Sequence, residues 1–297
     1  MSNCASKSFM INMLRVTCPA RIDISAGWSD AAPFVNEFGG AVLNAAISRR
    51  VSATLEHGKL INSLDEVPGH SGLGTSGALR AAYLVAANPK LINKKIELIK
   101  RVHTFENAIV GQRAGYQDQA AAIFGGVNYW EFRKNGSIHR EPLTKKQVKH
   151  LQERLVLVFT GEGHISANVH EQVFESRRFI KFVPQIDRMR VIAGLMKKNI
   201  HDEKKMAQLI NETWSLQKKL HSQMETPSMK KIQEYCKRNY LAARATGAGG
   251  GGCMIFYTRP EWRTALTKDI RKLEKQIKDL EVLDFEFDFK GIELEKK

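Results

Sequence analysis

Over residues 14–26 and 40–56, apolar and β-branched side chains recur at alternating positions, a period that predicts two early strands, with Gly39-Gly40 as punctuation before the second. The spacing then widens. An apolar run from Ala78 to Ala87 predicts a helix over 76–88, and Ile96, Ile99, Val102, Phe105, Ala108 and Ile109 mark one face of a second helix over 94–111. Residues 125–132 read as a strand, and Arg133-Lys134-Asn135-Gly136 behind it is a hairpin turn signal. Near residue 150 the character changes. Leu155 to Phe159 is a short buried strand, and long basic helices follow to about residue 240. A strand at Cys253–Tyr257, a charged helix over 260–279 and a strand from Val282 to Phe289 complete the pattern. The expected organisation is an α+β chain of two domains, 10–150 and 151–297.

A chain of 297 residues can bury a sizeable core. It has no internal repeat, no low-complexity tract and no apolar run near the roughly 20 residues of a membrane span. Residues 1–13 lack the apolar stretch of a secretory signal. The four cysteines (Cys4, Cys18, Cys236, Cys253) are too scattered for a metal or redox motif, so reduced thiols and a cytoplasmic location are expected. The net charge of +15 is interleaved with Glu and Asp along helical faces. That is a solvated surface without a nucleic-acid-binding signature, and neither a specific nucleic acid nor a membrane is expected as partner. Such a field does favour anionic small molecules.

The chemistry concentrates in glycine. The run Pro68-Gly69-His70-Ser71-Gly72-Leu73-Gly74-Thr75-Ser76-Gly77 leads straight into the first predicted helix. Flexible backbone ahead of unpaired helix N–H groups makes an anion cradle, most often for phosphate. A second run, Thr246 to Gly252, lies far along the chain. Gly72, Gly74 and Gly77 match the dinucleotide fingerprint formally. The polar stretch ahead of them and the absence of an acidic strand end about 20 residues later argue against that fold. No Gly-Lys-Ser/Thr follows either, which excludes a Walker loop.

Three segments, taken in order, resemble the motifs of the GHMP kinases, the superfamily of galactokinase, homoserine kinase, mevalonate kinase and phosphomevalonate kinase. They are Pro19 to Asp30, Pro68 to Ala78 and Arg244 to Cys253. Gly27-Trp28-Ser29-Asp30 is similar to L-fucokinases. Gly115-Tyr116-Gln117-Asp118-Gln119, with Phe124 to Asn128, is similar to both fucokinases and D-glycero-D-manno-heptose phosphate kinases. The resemblance implies a two-domain GHMP kinase fold, with a ribosomal protein S5 domain 2-like N-terminal domain and a ferredoxin-like C-terminal domain. It implies ATP and Mg²⁺ as cofactors and a hydroxyl of a sugar or sugar phosphate as acceptor.

The same resemblance distributes roles. Gly69, His70, Ser71, Gly72, Leu73, Gly74, Thr75 and Ser76 would bind the ATP phosphates. Ser76 and Glu106 would hold the metal, and the interval from Glu106 to Asp118 fits the family spacing between metal-binding Glu and catalytic Asp. Asp118 would be the base with Arg21 beside it, while Asp30, Trp28, Gly247, Ala248 and Gly249 would meet the substrate. His70 and His164 are either loop residues or substrate contacts, and a homodimer stays open. Two departures stand out. The interval from Asp30 to Pro68 is short, which implies a thinner wall on the adenine side. Glu162 follows Thr160-Gly161 where heptose kinases carry arginine. The rival readings are a shortened GHMP-fold protein that binds without catalysis and a kinase of a mevalonate-type acceptor.

Overall fold

The computed structural model describes residues 13–296 except 65, 112, 164–165 and 176–178, so Cys4 and His164 lie outside the described residues. The chain opens with β1 (Leu14–Asp23), α1 (Phe34–Phe38), β2 (Gly40–Glu56) and β3 (Lys59–Ser63). The glycine run leads into α2 (Thr75–Ala87) and α3 (Lys95–Thr104), and a π-helical turn, Phe105–Ile109, continues α3. Then come α4 (Gln117–Phe124), the hairpin β4 (Val127–Phe132) and β5 (Ile138–Leu143), and α5 (Lys145–Arg154). Beyond α5 lie β6 (Leu155–Thr160), α6 (Ser166–Phe174), α7 (Phe179–Lys198), α8 (Glu203–Lys218) and α9 (Pro227–Cys236). The chain continues through β7 (Ala242–Ala245), β8 (Cys253–Tyr257), α10 (Arg263–Leu273), β9 (Leu280–Leu283) and β10 (Glu293–Lys296).

Two antiparallel sheets organise these elements. The first runs β10-β1-β2-β4-β5 with β3 also on β2, and the second runs β7-β8-β6-β9. The second, with α10 joining β8 to β9, is the split βαββαβ arrangement, with α6 to α9 inserted between its first two strands. In the first unit α2, α3 and α4 bury Ala78, Ala81, Ala82, Val85, Leu98, Ile99, Val102 and Ala120 in one core with Val16, Ala20, Ile22 and Ala45 of the sheet. The alanines of α2 let α4 come close. No helix among the described residues is long and apolar enough to cross a membrane.

Four features differ from the pattern expected of the sequence. The predicted helix over 94–111 is α-helical only to Thr104, because the Asn107 amide donates to His103 O (2.9 Å) and Ala114 O (3.2 Å) and accepts from Ala114 N–H (3.2 Å). Those side-chain bonds compete with the helical ladder and support the wider turn. The helix expected over 260–279 is a 3₁₀ turn, Pro260–Trp262, followed by α10, which stops at Leu273. The single strand expected over 282–289 is instead β9 followed by a crossing segment, in which Phe287 bridges to Ile47 of the first sheet. The division at residue 151 also breaks down near the last residues. β10 pairs with β1 (Leu14 opposite Lys296, Thr17 opposite Glu293), so it completes the first sheet rather than the second.

Candidate active site

The glycine run 68–74 crosses the edge of β1 and delivers the chain to the start of α2. Gly74, with φ +69°, is the residue before the helix, and a left-handed turn there suits glycine. Three carbonyls of the run are engaged by β1, its Arg21 side chain and the second glycine run, while Gly74 O accepts from Ala78 N–H and starts the helical ladder. Ser71 O accepts from Cys253 N–H (2.8 Å), Leu73 O from Arg21 N–H (2.9 Å), and Gly72 O from Arg21 Nη1 (2.6 Å) and Thr246 Oγ1 (3.2 Å). What remains on the other side is the first-turn N–H groups of α2, which have no partner inside the helix. The loop is therefore built as an anion cradle.

The second glycine run packs directly on the first. A Cβ at Gly247 would lie 2.8 Å from Gly72 O, and one at Gly72 would lie 3.0 Å from Thr246 O. Behind this contact Asp23, wholly buried at the end of β1, accepts from Gly247 N–H (3.0 Å), Gly27 N–H (3.2 Å) and both Arg244 Nη atoms (3.1 and 3.4 Å). Arg244 also reaches Asp23 O and Gln217 Oε1 (3.2 Å). One buried ion pair thus ties β1, the second glycine run and α8 together.

Between the two runs and α4 opens a cavity of about 470 Å³. Asp118, in the first turn of α4, faces it with its side chain 29% exposed. Its Oδ1 takes two bonds from Arg21, 2.8 Å from Nε and 2.7 Å from Nη2. Arg21 is 4% exposed; burial opposes its charge, but Asp118, Asp23 and Asp30 outweigh that and raise its pKa. A Cβ at Gly74 would lie 3.1 Å from Asp118 Cγ, and one at Gly77 would lie 2.9 Å from Asp118 Cβ. The aspartate therefore sits against the cradle itself.

Ser76 and Glu106 also line the cavity and meet there. Ser76 Oγ and Arg80 Nη1 each donate to Glu106 Oε1 at 3.0 Å. The other oxygen, Oε2, is buried and accepts from no described residue. Among the described residues no group of three or more His, Cys, Asp or Glu gathers for a metal. The donor set here, a hydroxyl and a carboxylate with an oxygen to spare, fits a hard divalent cation whose other positions come from phosphate or water. The Glu106 carboxyl is pushed up to about 7 by burial and by the Asp118 charge, only partly offset by Arg80 and Ser76.

An acid whose folded pKa is raised adds stability that is complete below its ordinary value of 4.5 and is lost as pH climbs through about 7. Glu106→Gln is accordingly expected to flatten the fall in metal-free stability between those limits, so that the variant gains on wild type as pH rises from 5 to 8. Denaturant melts at pH 5 and pH 8 check this; a variant whose stability falls with pH as steeply as that of wild type contradicts it.

Asp30 is 1% exposed, and its Oδ2 accepts from Tyr116 N–H and Gln117 N–H, both at 2.8 Å. Its carboxyl is pushed up to about 6 by burial, against the pull of the Gln117 amide and with the Asp118 charge adding to the rise. Trp28 packs 5.7 Å from Phe174, ring to ring, and also lines the cavity. Gly247, Ala248 and His70 line it as well. Two expected site residues do not. Leu73 is wholly buried in the core, as its apolar side chain requires, and at Gly249 a Cβ would lie 3.0 Å from Met224 Sδ and 3.2 Å from Gln217 Nε2. Asp23, Arg80 and Gln117 were not singled out from the sequence. Asp23 stands within Pro19–Asp30 and Gln117 within Gly115–Gln119, so both segments carried a signal; Arg80 is an ordinary surface residue by pattern.

Comparison with known proteins finds two family domains along the chain. The profile described as GHMP kinases N terminal domain matches residues 40–126, and that described as GHMP kinases C terminal matches residues 192–276. The chain is similar to the D-glycero-alpha-D-manno-heptose 7-phosphate kinase of Campylobacter jejuni, at 24% identity over 90% of this chain and 95% of that one. It is also similar to the bifunctional fucokinase/GDP-fucose pyrophosphorylase of Arabidopsis thaliana, at 23% identity over 95% of this chain but 32% of that longer protein. Among solved structures, a D-glycero-D-manno-heptose 1-phosphate kinase from Bacteroides thetaiotaomicron superposes with a TM-score of 0.71 at 20% identity, covering 96% of this chain and 99% of that one.

Proposed function

The chain belongs to the GHMP kinases, and from that premise we propose that it transfers the γ-phosphoryl group of ATP to a hydroxyl of a sugar or sugar phosphate. The observation that carries the reading is the Arg21–Asp118 pair lying against the Gly74 turn at the mouth of α2. A proton acceptor there stands beside a built phosphate cradle. The loose, charge-rich transition state of phosphoryl transfer needs positioning and electrostatic stabilisation above all.

In this reading residues 69–72 and 74–76 hold the nucleotide phosphates, and buried Leu73 anchors the loop in the core. Asp118 orients the acceptor hydroxyl and receives its proton late, as the O–P bond forms, because a carboxylate is a weak base beside an alkoxide. Arg21 keeps Asp118 aligned through two bonds to one oxygen, which leaves the second oxygen for the acceptor. Ser76 and Glu106 would hold Mg²⁺, which when bound supplies positive charge to the phosphate oxygens. Trp28, Asp30, Gly247 and Ala248 form the acceptor side. The relatives named for heptose phosphates and fucose support a polyhydroxylated acceptor. Three buried thiols, Cys18, Cys236 and Cys253, fit a cytoplasmic setting.

The test is ADP release from purified protein with ATP and Mg²⁺ across fucose, galactose, heptoses, their phosphates and mevalonate. ADP is expected only with a sugar or sugar phosphate present. Release with mevalonate alone removes the sugar assignment, and calorimetric binding of ligands without product removes the kinase assignment.

A further inference from the structure

Asp30 stands in the loop after β1, far in sequence from α4, yet its side chain reaches the start of that helix. The first N–H groups of any helix lack partners within it. Tyr116, the residue before α4, brings no side-chain oxygen to them, and no local side chain caps this end. Asp30 Oδ2 supplies the missing acceptor, taking Tyr116 N–H and Gln117 N–H at 2.8 Å each. The backbone has been cleared for it: a Cβ on Gly115 would collide with this same oxygen. A carboxylate at a helix N-terminus is also favoured by the helix dipole.

We infer that Asp30 is a positioning residue for Asp118, acting as a remote cap that fixes the first turn of α4. The inference rests on the kinase reading of Asp118. Asp118 follows the second capped residue directly, so the cap sets the place from which its side chain departs. Arg21 grips the carboxylate from the other side. Backbone and carboxylate are thus held by two separate residues of the Pro19–Asp30 segment, one on β1 and one beyond it. An acceptor contact by the second oxygen of Asp30 is compatible with this, because Oδ2 alone makes both helix bonds.

A residue that only binds acceptor and a residue that positions the base part company in kinetics. Loss of the cap displaces Asp118 and lowers kcat, whereas loss of an acceptor bond raises the acceptor KM. For Asp30→Ala the expected result is a kcat about 100-fold lower, over and above any rise in acceptor KM from a lost hydroxyl contact. Asp30→Asn keeps an oxygen for the two N–H groups and is expected to recover about 10-fold of that loss. Amide exchange read by NMR on the ligand-free protein provides a measure that needs no activity. The Tyr116 and Gln117 amides should exchange about 10-fold faster or more in Asp30→Ala, and less so in Asp30→Asn. If Asp30→Ala does not fold, Asp30→Asn against wild type carries both readouts.

Unchanged exchange at these two amides overturns the inference. So does a raised acceptor KM with kcat intact. If wild-type protein phosphorylates no acceptor, the kinase reading fails by itself, and amide exchange still decides whether Asp30 caps α4.

Discussion

Asp118→Asn is expected to lower kcat about 1000-fold while nucleotide affinity stays close to that of wild type. The substitution keeps the shape of the side chain and its place in the first turn of α4. It removes the capacity to take a proton, and it sets a neutral amide against Arg21 where an anion had accepted two bonds. In the proposed reading the nucleotide phosphates, by contrast, meet the N–H groups at the start of α2, which the change does not touch. Single-turnover product formation and calorimetric titration with ATP separate the two effects. Full turnover in the variant means that the base lies elsewhere, and lost nucleotide binding means that the Arg21–Asp118 pair shapes the cradle itself.

The second large effect concerns stability. Arg244 and Asp23 are both wholly buried, 3.1 Å apart. Arg244→Met leaves the Asp23 carboxylate in the interior without its counter-charge, at a cost of about 3–5 kcal/mol. Asp23→Asn added to Arg244→Met removes the stranded charge and should restore much of the loss, since an amide oxygen still suits Gly247 N–H. Arg244→Lys is not a mild change here, because one ammonium cannot span Asp23 and Gln217 as the guanidinium fork does. Urea unfolding of the two single variants and the double variant measures the coupling. Strictly additive losses would show that the ion pair contributes nothing beyond packing.

Much of the site could be read from residue order because its parts are local motifs. Pro68 to Ser76 announces a cradle by its glycines and the helix behind them, and the Glu106–Asp118 interval leads to two carboxylates that the fold brings to one cavity. The π turn was invisible. It depends on Asn107 reaching across to Ala114, whereas the apolar spacing through Ile109 is that of an ordinary helix. The Asp23–Arg244 pair spans 221 positions, and no periodicity links residues that far apart. The Pro19–Asp30 segment points to Asp30 as a sugar ligand, and its contact with α4 appears only once Gly115 and Tyr116 are in place. The strand pattern ahead of residue 289 was misplaced for a related reason. Phe285, Phe287 and Phe289 alternate as in a strand, but they line a passage between two sheets.

That passage bears on how the protein is made. β1 emerges from the ribosome early, and its outer partner β10 emerges only after every element from α5 to β9. Throughout that interval the N–H and C=O groups of Leu14 to Thr17 form an open sheet edge, available to a neighbouring nascent chain. The first unit can collapse around its helices during synthesis, but its sheet closes only after the second unit has been synthesised. The vulnerable period for aggregation is therefore set by the length of the second unit rather than by the folding speed of the first.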